Sequence, residues 1–144
     1  MITALRFVAA VVVAVGVGLV LLILIELFSA VVHPFPEDFG GTAEEMCEHV
    51  ARYPSWVLAV VVPIWGFSAW LSTWIAKCIG HRWAAVVVGV LWIVAVLFNV
   101  TQLPYPIWFK CLATTAIVIA VASAIGLLFK ARSSAQRNFG SGNC

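Results

Sequence analysis

Four stretches of this chain are apolar almost without interruption: Phe7 to Val32, Trp56 to Ala76, Trp83 to Val100 and Ile107 to Phe129. A helix needs roughly 20 apolar residues to cross the hydrocarbon core of a bilayer, and each stretch supplies that length or comes close to it. Their many β-branched residues would suit strands in water. In lipid, however, every backbone polar group must be satisfied within the protein, which leaves helices or a closed barrel. The stretches do not alternate polar with apolar residues, which disfavours a barrel. Composition points the same way: 64% of the 144 residues are hydrophobic and 10% are charged, where a soluble domain carries about 25% charge. So small a globule could not bury that much apolar surface. A net charge of +2 gives no basic surface for nucleic acid, and no cofactor motif is present. The expected fold class is all-α, a polytopic membrane four-helix bundle.

The connectors set the topology. Lys77 to Arg82 and Asn99 to Pro106 are short, so consecutive spans are antiparallel neighbours, and Pro104 and Pro106 stop a continuous helix between spans three and four. The long connector, residues 33–55, carries Thr42-Ala43-Glu44-Glu45, a capping-box pattern. It predicts a short amphipathic helix from Ala43 to Arg52, with Met46, Val50 and Tyr53 on its apolar side. The membrane domain is read as residues 1–132 and the polar stretch 133–144 as a flexible tail. The apolar run Phe7–Ile25 is 19 residues, longer than a signal core of about 7–15, so the first span is expected to be retained.

Basic residues orient the chain, because positive charge concentrates on cytoplasmic loops. With four spans, Arg6, Lys77, Arg82, Lys130, Arg132 and Arg137 share one side, against Arg52 and Lys110 on the other. Both termini are therefore expected in the cytoplasm, with the 33–55 connector outside. Trp56 and Trp108 fit as outer anchors, Trp74 and Trp83 as inner ones. Small-xxx-small pairs at Ala14/Gly18, Ser68/Ser72, Ala69/Thr73, Ala85/Gly89 and Ala122/Gly126 can seat helices against each other or against a second protomer. Pro63 should weaken or kink the second span.

Candidate chemistry is sparse. Glu26 is the one acid inside a span, and an intramembrane carboxylate is a functional candidate by default. The preceding apolar run already gives about 28 Å of helix, so Glu26 also reads as an interfacial residue near the outer boundary. His33 follows seven positions later, on nearly the same helical face. Asn99 and Gln102 should lie at similar height, and the four form a candidate outer polar cluster: Glu26, His33, Asn99 and Gln102. The plainer alternative is that polar residues gather at helix ends because water is there. Glu45 and His49 are one turn apart, too few ligands for a metal site, and no metal is expected. The orientation puts Cys47 and Cys111 on the oxidising side, where a disulfide between them would pin the connector helix to the fourth span, subject to the narrow geometry such a bond accepts. Free thiols are the alternative.

Two segments echo each other: His33-Pro34-Phe35-Pro36 after the first span and Leu103-Pro104-Tyr105-Pro106 after the third. Duplication of a helix hairpin and the use of proline as a helix terminator both account for them. On these residues, together with Pro104-Tyr105-Pro106-Ile107-Trp108-Phe109, the chain resembles a group of small bacterial four-helix membrane proteins of unknown function. The resemblance covers most of the chain apart from the tail. It implies the four-span architecture and a bacterial cytoplasmic (inner) membrane location, and supplies neither activity nor catalytic residues. The chain departs from small multidrug transporters, which also have four spans and an acid in the first, by its long outer connector and the outward position of its acid. No convergent acid, base and nucleophile is visible. The sequence therefore reads as a non-enzymatic accessory or structural membrane subunit, its partners the lipid bilayer and a membrane protein or second copy docked through small-residue faces. The alternative is a small proton-coupled transporter using Glu26.

Overall fold

The computed structural model describes residues 2–126. It contains five helices: α1 (Ile2–Val32), α2 (Ala43–Ala51), α3 (Ser55–Ile79), α4 (Arg82–Gln102) and α5 (Ile107–Ile125). All but α2 are long and apolar enough to cross a membrane, and the protein is a multi-pass membrane protein with an all-α four-helix bundle. The observed spans match the sequence reading to within a few residues; α1 starts earlier and α3 runs further. Residues 127–129 of the expected fourth span, the 133–144 tail and Cys144 lie outside the described residues.

Local sequence explains where each helix begins and ends. α3 and α5 both start directly after a proline, and the carbonyls of Pro54 and Pro106 accept the first helical hydrogen bonds, from Val57 at 3.0 Å and Phe109 at 3.0 Å. The expected capping box opens α2. Thr42 Oγ1 accepts from the Glu45 N–H at 3.2 Å, and Glu45 Oε2 accepts from the Thr42 N–H at 3.0 Å. These bonds, the one from the Thr42 backbone foremost, hold the Glu45 carboxyl below its ordinary value. Gly126 ends α5 in the left-handed conformation, φ 89°, which glycine adopts without the Cβ penalty. The helix of α3 continues through Pro63, whose missing N–H removes one ladder bond without ending the span.

The four long helices stand at the corners of a square whose short diagonal joins α3 and α4. α3 packs against α1, α4 and α5, whereas α1 and α5 make no direct backbone approach to each other among the described residues. Of the two helices on the long diagonal, α1 is the less buried and serves as the edge helix, mostly exposed along Leu19, Val20, Ile23, Leu24 and Leu27. Such surfaces suit lipid, and burial between helices already in lipid contributes little to association, so close packing has to hold the bundle. Ala14, Gly18, Ser68, Ala69, Ser72, Thr73, Ala85 and Gly89 are all buried inside it. These small-residue faces, expected to serve either the bundle or a second protomer, are used within the chain.

Polar groups lock one end of the bundle, where the chain enters α1 and turns from α3 into α4. Arg6 Nε donates to the Ile79 carbonyl at 2.6 Å, and Lys77 Nζ donates to the Ala124 carbonyl at 3.1 Å. Each cation thus satisfies a helix C-terminus, the electrostatically favourable place for it. Halfway up, the Ser72 hydroxyl donates to the Ala14 carbonyl at 2.6 Å.

Two glycines set the helix spacing. A Cβ on Gly80 would lie 2.6 Å from the Ala10 Cβ, and one on Gly89 would lie 2.4 Å from Val121 Cγ1, whereas Gly16 has nothing within 4 Å. Gly80→Ala and Gly89→Ala should each lower stability by about 1–3 kcal/mol through overpacking. Gly16→Ala should be neutral or stabilising by up to about 1 kcal/mol, because alanine is the better helix former. Thermal or denaturant unfolding in mild detergent, with the three variants side by side, checks this ordering.

Candidate functional site

The opposite end of the bundle is built differently. There the connector and α2 fold over the mouths of α1, α3, α4 and α5 and enclose a cavity of about 290 Å³. It lies about one helical turn, roughly 5 Å, inside the helix ends, at the level of Leu58 on α3, Asn99 on α4 and Phe109 on α5. Ser29, Tyr53, Trp65 and Tyr105 line it, and Glu26 of α1, an exposed residue, stands at its rim. α2 contributes Met46, His49 and Val50, its inward side.

Most of the wall is aromatic. Trp65 meets Phe109 edge-on with ring centroids 5.7 Å apart, and Tyr105 lies 4.7 Å from Phe109. On the α2 side, His49 stacks between His33, at 4.4 Å, and Phe35, at 4.3 Å, with Tyr53 edge-on at 5.4 Å. His33 Nε2 donates to the His49 carbonyl at 3.4 Å. Phe35 and Tyr105, the central residues of the two Pro-aromatic-Pro segments, both line this cavity. The prolines end α1 and α4 and turn each following ring inward.

The electrostatics are one-sided. Among the described residues, Glu26 is the only carboxylate bordering the cavity, and neither lysine nor arginine lines it. Burial, followed by the nearby His33 and Arg52 charges, holds the His49 imidazole below its ordinary value of 6.5, so it is neutral at pH 7. Burial also raises the Tyr53 phenol, the Ser29 hydroxyl partly offsetting this and the Glu26 charge adding to it. Tyr105 is raised further, again by burial first and then by Glu26 and Tyr53. Both phenols therefore stay protonated, as hydrogen-bond donors. Among the described residues, four buried side-chain polar atoms have no partner: His49 Nε2, Trp65 Nε1, Asn99 Oδ1 and Thr73 Oγ1. The first three belong to residues of this cavity. A buried polar group left unpaired costs about 1–3 kcal/mol, so their convergence on one hollow marks a place where polar ligand atoms can be received.

The predicted polar cluster is divided by the structure. Glu26 and Asn99 share the cavity. His33 stands in the aromatic stack above it and lines a separate outer cleft with Asp38, Glu45, Glu48 and Arg52. Gln102 is exposed and borders neither. The reason for His33 is that α1 ends at Val32, so the seven-residue spacing from Glu26 no longer places the two on one face. The Cys47–Cys111 bond is not formed: both thiols are free. α2 makes no backbone approach to α5 among the described residues, and Cys111 sits on an exposed face. Glu45 and His49 do not form a metal site, since Glu45 is engaged in the cap and His49 in the stack, and no group of three metal-ligating side chains occurs among the described residues. Sequence reasoning placed Tyr53 on the apolar side of the connector helix and singled out Tyr105 and Phe109 only as parts of a proline-rich segment; nothing in it brought these rings, from different elements, together with Trp65.

Compared with protein-family models, with curated proteins and with solved structures, the chain matches none.

The depressed His49 value carries a stability consequence. The unfolded imidazole takes up its proton near 6.5 while the docked one resists it. The docking of α2 is therefore at full strength above that pH and weakens as pH falls from there through the lower docked value. Amide hydrogen exchange of residues 43–51, corrected for intrinsic rates, should accelerate between pH 7.5 and 5.5. His49→Phe, which keeps the stack and removes the charge, should abolish most of that change.

Proposed function

We propose that this chain is a non-enzymatic protein of the bacterial cytoplasmic membrane that acts by binding a protonated amine in the cavity beneath α2, as an accessory, ligand-binding membrane component. Both termini are cytoplasmic in this reading and the cavity faces the outer side. The excess of lysine and arginine at the opposite end supports that orientation, and so does the resemblance to small bacterial four-span proteins. The observation that carries the ligand assignment is the pairing of one carboxylate, Glu26 at the rim, with aromatic rings in a hollow that no lysine or arginine lines among the described residues. A desolvated cation beside aromatic faces gains about 2 kcal/mol, and a charge taken from water requires a paired countercharge. An ammonium meets both conditions here, whereas an anion would meet Glu26 unscreened.

Proton-coupled transport through Glu26 has less support. Transport would need the cavity to open alternately toward the other end. Along that route Ser68, Ala69, Ser72, Thr73 and Ala76 of α3 are fully buried against their neighbours, and Arg6 and Lys77 tie the helix ends together.

Butylammonium tests the binding. Titrated into the full-length protein in phosphatidylcholine nanodiscs, it should change the tryptophan fluorescence saturably, through Trp65, while butyrate should not. Glu26→Gln should weaken that binding by about tenfold or more, the equivalent of 1.4 kcal/mol, with the far-ultraviolet circular dichroism unchanged. Equal binding of butylammonium and butyrate, or an unaltered affinity in Glu26→Gln, would refute the assignment.

A further inference from the structure

On the α1–α4 side the cavity has two further spaces as neighbours. Between α1 and α4 runs an apolar crevice of about 270 Å³, bounded by Val15, Gly18, Leu19, Val88 and Leu91. A smaller hollow of about 150 Å³ continues it, sharing Leu22, Trp92 and Ala95 with the crevice and Trp65 and Asn99 with the polar cavity. The three spaces are neighbours that share walls, the crevice nearly all apolar at the α1–α4 seam, the hollow reaching inward to Trp65 of α3 and Ile117 of α5, and the cavity polar beneath α2. The rim is open to the bilayer: Leu19 is 55% exposed and Leu91 is 48% exposed.

The length is informative. Val15 to Glu26 spans about 16 Å of helix at a rise of ~1.5 Å per residue. One leaflet of the hydrocarbon core is half of roughly 30 Å. The polar cavity lies near one boundary, so the crevice ends near the bilayer midplane. Crevice, hollow and cavity together have the length of one alkyl chain in one leaflet, with its headgroup at the level where headgroups belong.

We infer that the ligand is a membrane amphiphile, a long-chain primary amine whose ammonium sits against Glu26 and whose alkyl chain lies in the α1–α4 crevice. This rests on the amine-binding reading above and extends it. A primary ammonium offers three donors, and the cavity offers acceptors to match them in the Glu26 carboxylate and the unpartnered Asn99 Oδ1. The unpartnered Trp65 N–H calls for an acceptor, which a hydroxyl or carbonyl oxygen next to the amine supplies. An anionic headgroup is disfavoured twice, by Glu26 at the rim and by the outer cleft above, where Asp38, Glu45 and Glu48 outnumber Arg52, itself paired with Glu48.

The test uses the full-length protein in phosphatidylcholine nanodiscs and hexadecylamine carrying a photoreactive diazirine near the end of its chain. Adducts should concentrate on residues 15–22 of α1 and 88–95 of α4. Excess unlabelled hexadecylamine should displace them, and hexadecyl sulfate should not. Ala95→Phe places a ring at the junction of crevice and cavity, at a position that is exposed. It should cut the displaceable labelling by about tenfold or more and leave butylammonium binding intact. Adducts spread over the exposed Phe67 and Trp74 face, or undisplaced by hexadecylamine, overturn the inference even where butylammonium still binds in a Glu26-dependent way; that outcome spares the underlying reading. Failure of butylammonium to bind at all removes both. The displacement experiment needs only the wild-type chain, so the inference stays testable should Ala95→Phe fail to fold.

Discussion

Inside a bilayer no water is at hand to satisfy a stray donor or acceptor, and the placement of polar groups in this bundle follows from that. At the end where Arg6 and Lys77 sit, the exposed carbonyls of α3 and α5 are each met by a cation from a neighbouring helix. At mid-height the Ser72 hydroxyl is spent on the Ala14 carbonyl, while Ser68 bonds back within α3 to the Ile64 carbonyl. Among the described residues the rule is broken once in the bundle interior, at Thr73, and three times within the one hollow beneath α2, at His49, Trp65 and Asn99. A chain that only needed to span a membrane could fill that hollow with leucine and be more stable. The retained polar atoms, beside the single intramembrane acid, give the hollow a chemical purpose that its volume alone would not.

Much of the architecture was legible because membrane physics reads sequence coarsely. Uninterrupted apolar runs of sufficient length become helices whatever their intrinsic propensities, which is why Pro63 and the β-branched runs did not mislead. The capping box at Thr42 and Glu45 was legible because it is local, needing only three residues of spacing. Glu26 and Asn99 were legible as the polar residues of α1 and α4 nearest their ends. Tyr53, Trp65, Tyr105 and Phe109 were not, since an aromatic residue in an apolar span is ordinary, and nothing in a one-dimensional pattern says that rings from different elements converge. Gln102 failed as a candidate for a related reason: height along a helix can be counted, but the direction a side chain takes at a fraying end cannot.

The Pro-aromatic-Pro segments join these two levels. Read along the chain, they are helix stops. In the fold they are lids, each turning one ring, Phe35 or Tyr105, into the same cavity. A proline-flanked residue has little backbone freedom, because proline fixes its own φ and restricts the residue before it. The rings therefore reach their positions with much of the ordering cost already met in the unfolded chain. Shared use around one cavity is sufficient reason for the echo, with or without duplication of a hairpin.

The buried positions of α1 show where the bundle is least committed. Ala10, Ala14 and Gly18 recur at one-turn intervals and face inward, and Ile25 and Ser29 resume the stripe after a gap. The gap contains Leu22, which is only half-buried and lines both the crevice and the hollow that leads to Glu26. Below the gap α1 is fastened by Arg6, by the contact of Ala10 with the α3–α4 turn at Gly80, and by Ser72. Above it Ile25, Glu26 and Ser29 border the cavity beneath α2, which Asn99 and Leu103 line from the α4 side. Ile25 and Ser29 are buried again beyond the gap, so the loosest packing of α1 against α4 lies around Leu19 and Leu22, along the crevice. That loose stretch sets the side from which anything dissolved in the bilayer would reach Glu26, namely laterally along the α1–α4 seam, while α2 and the two proline-bound rings cover the cavity from above.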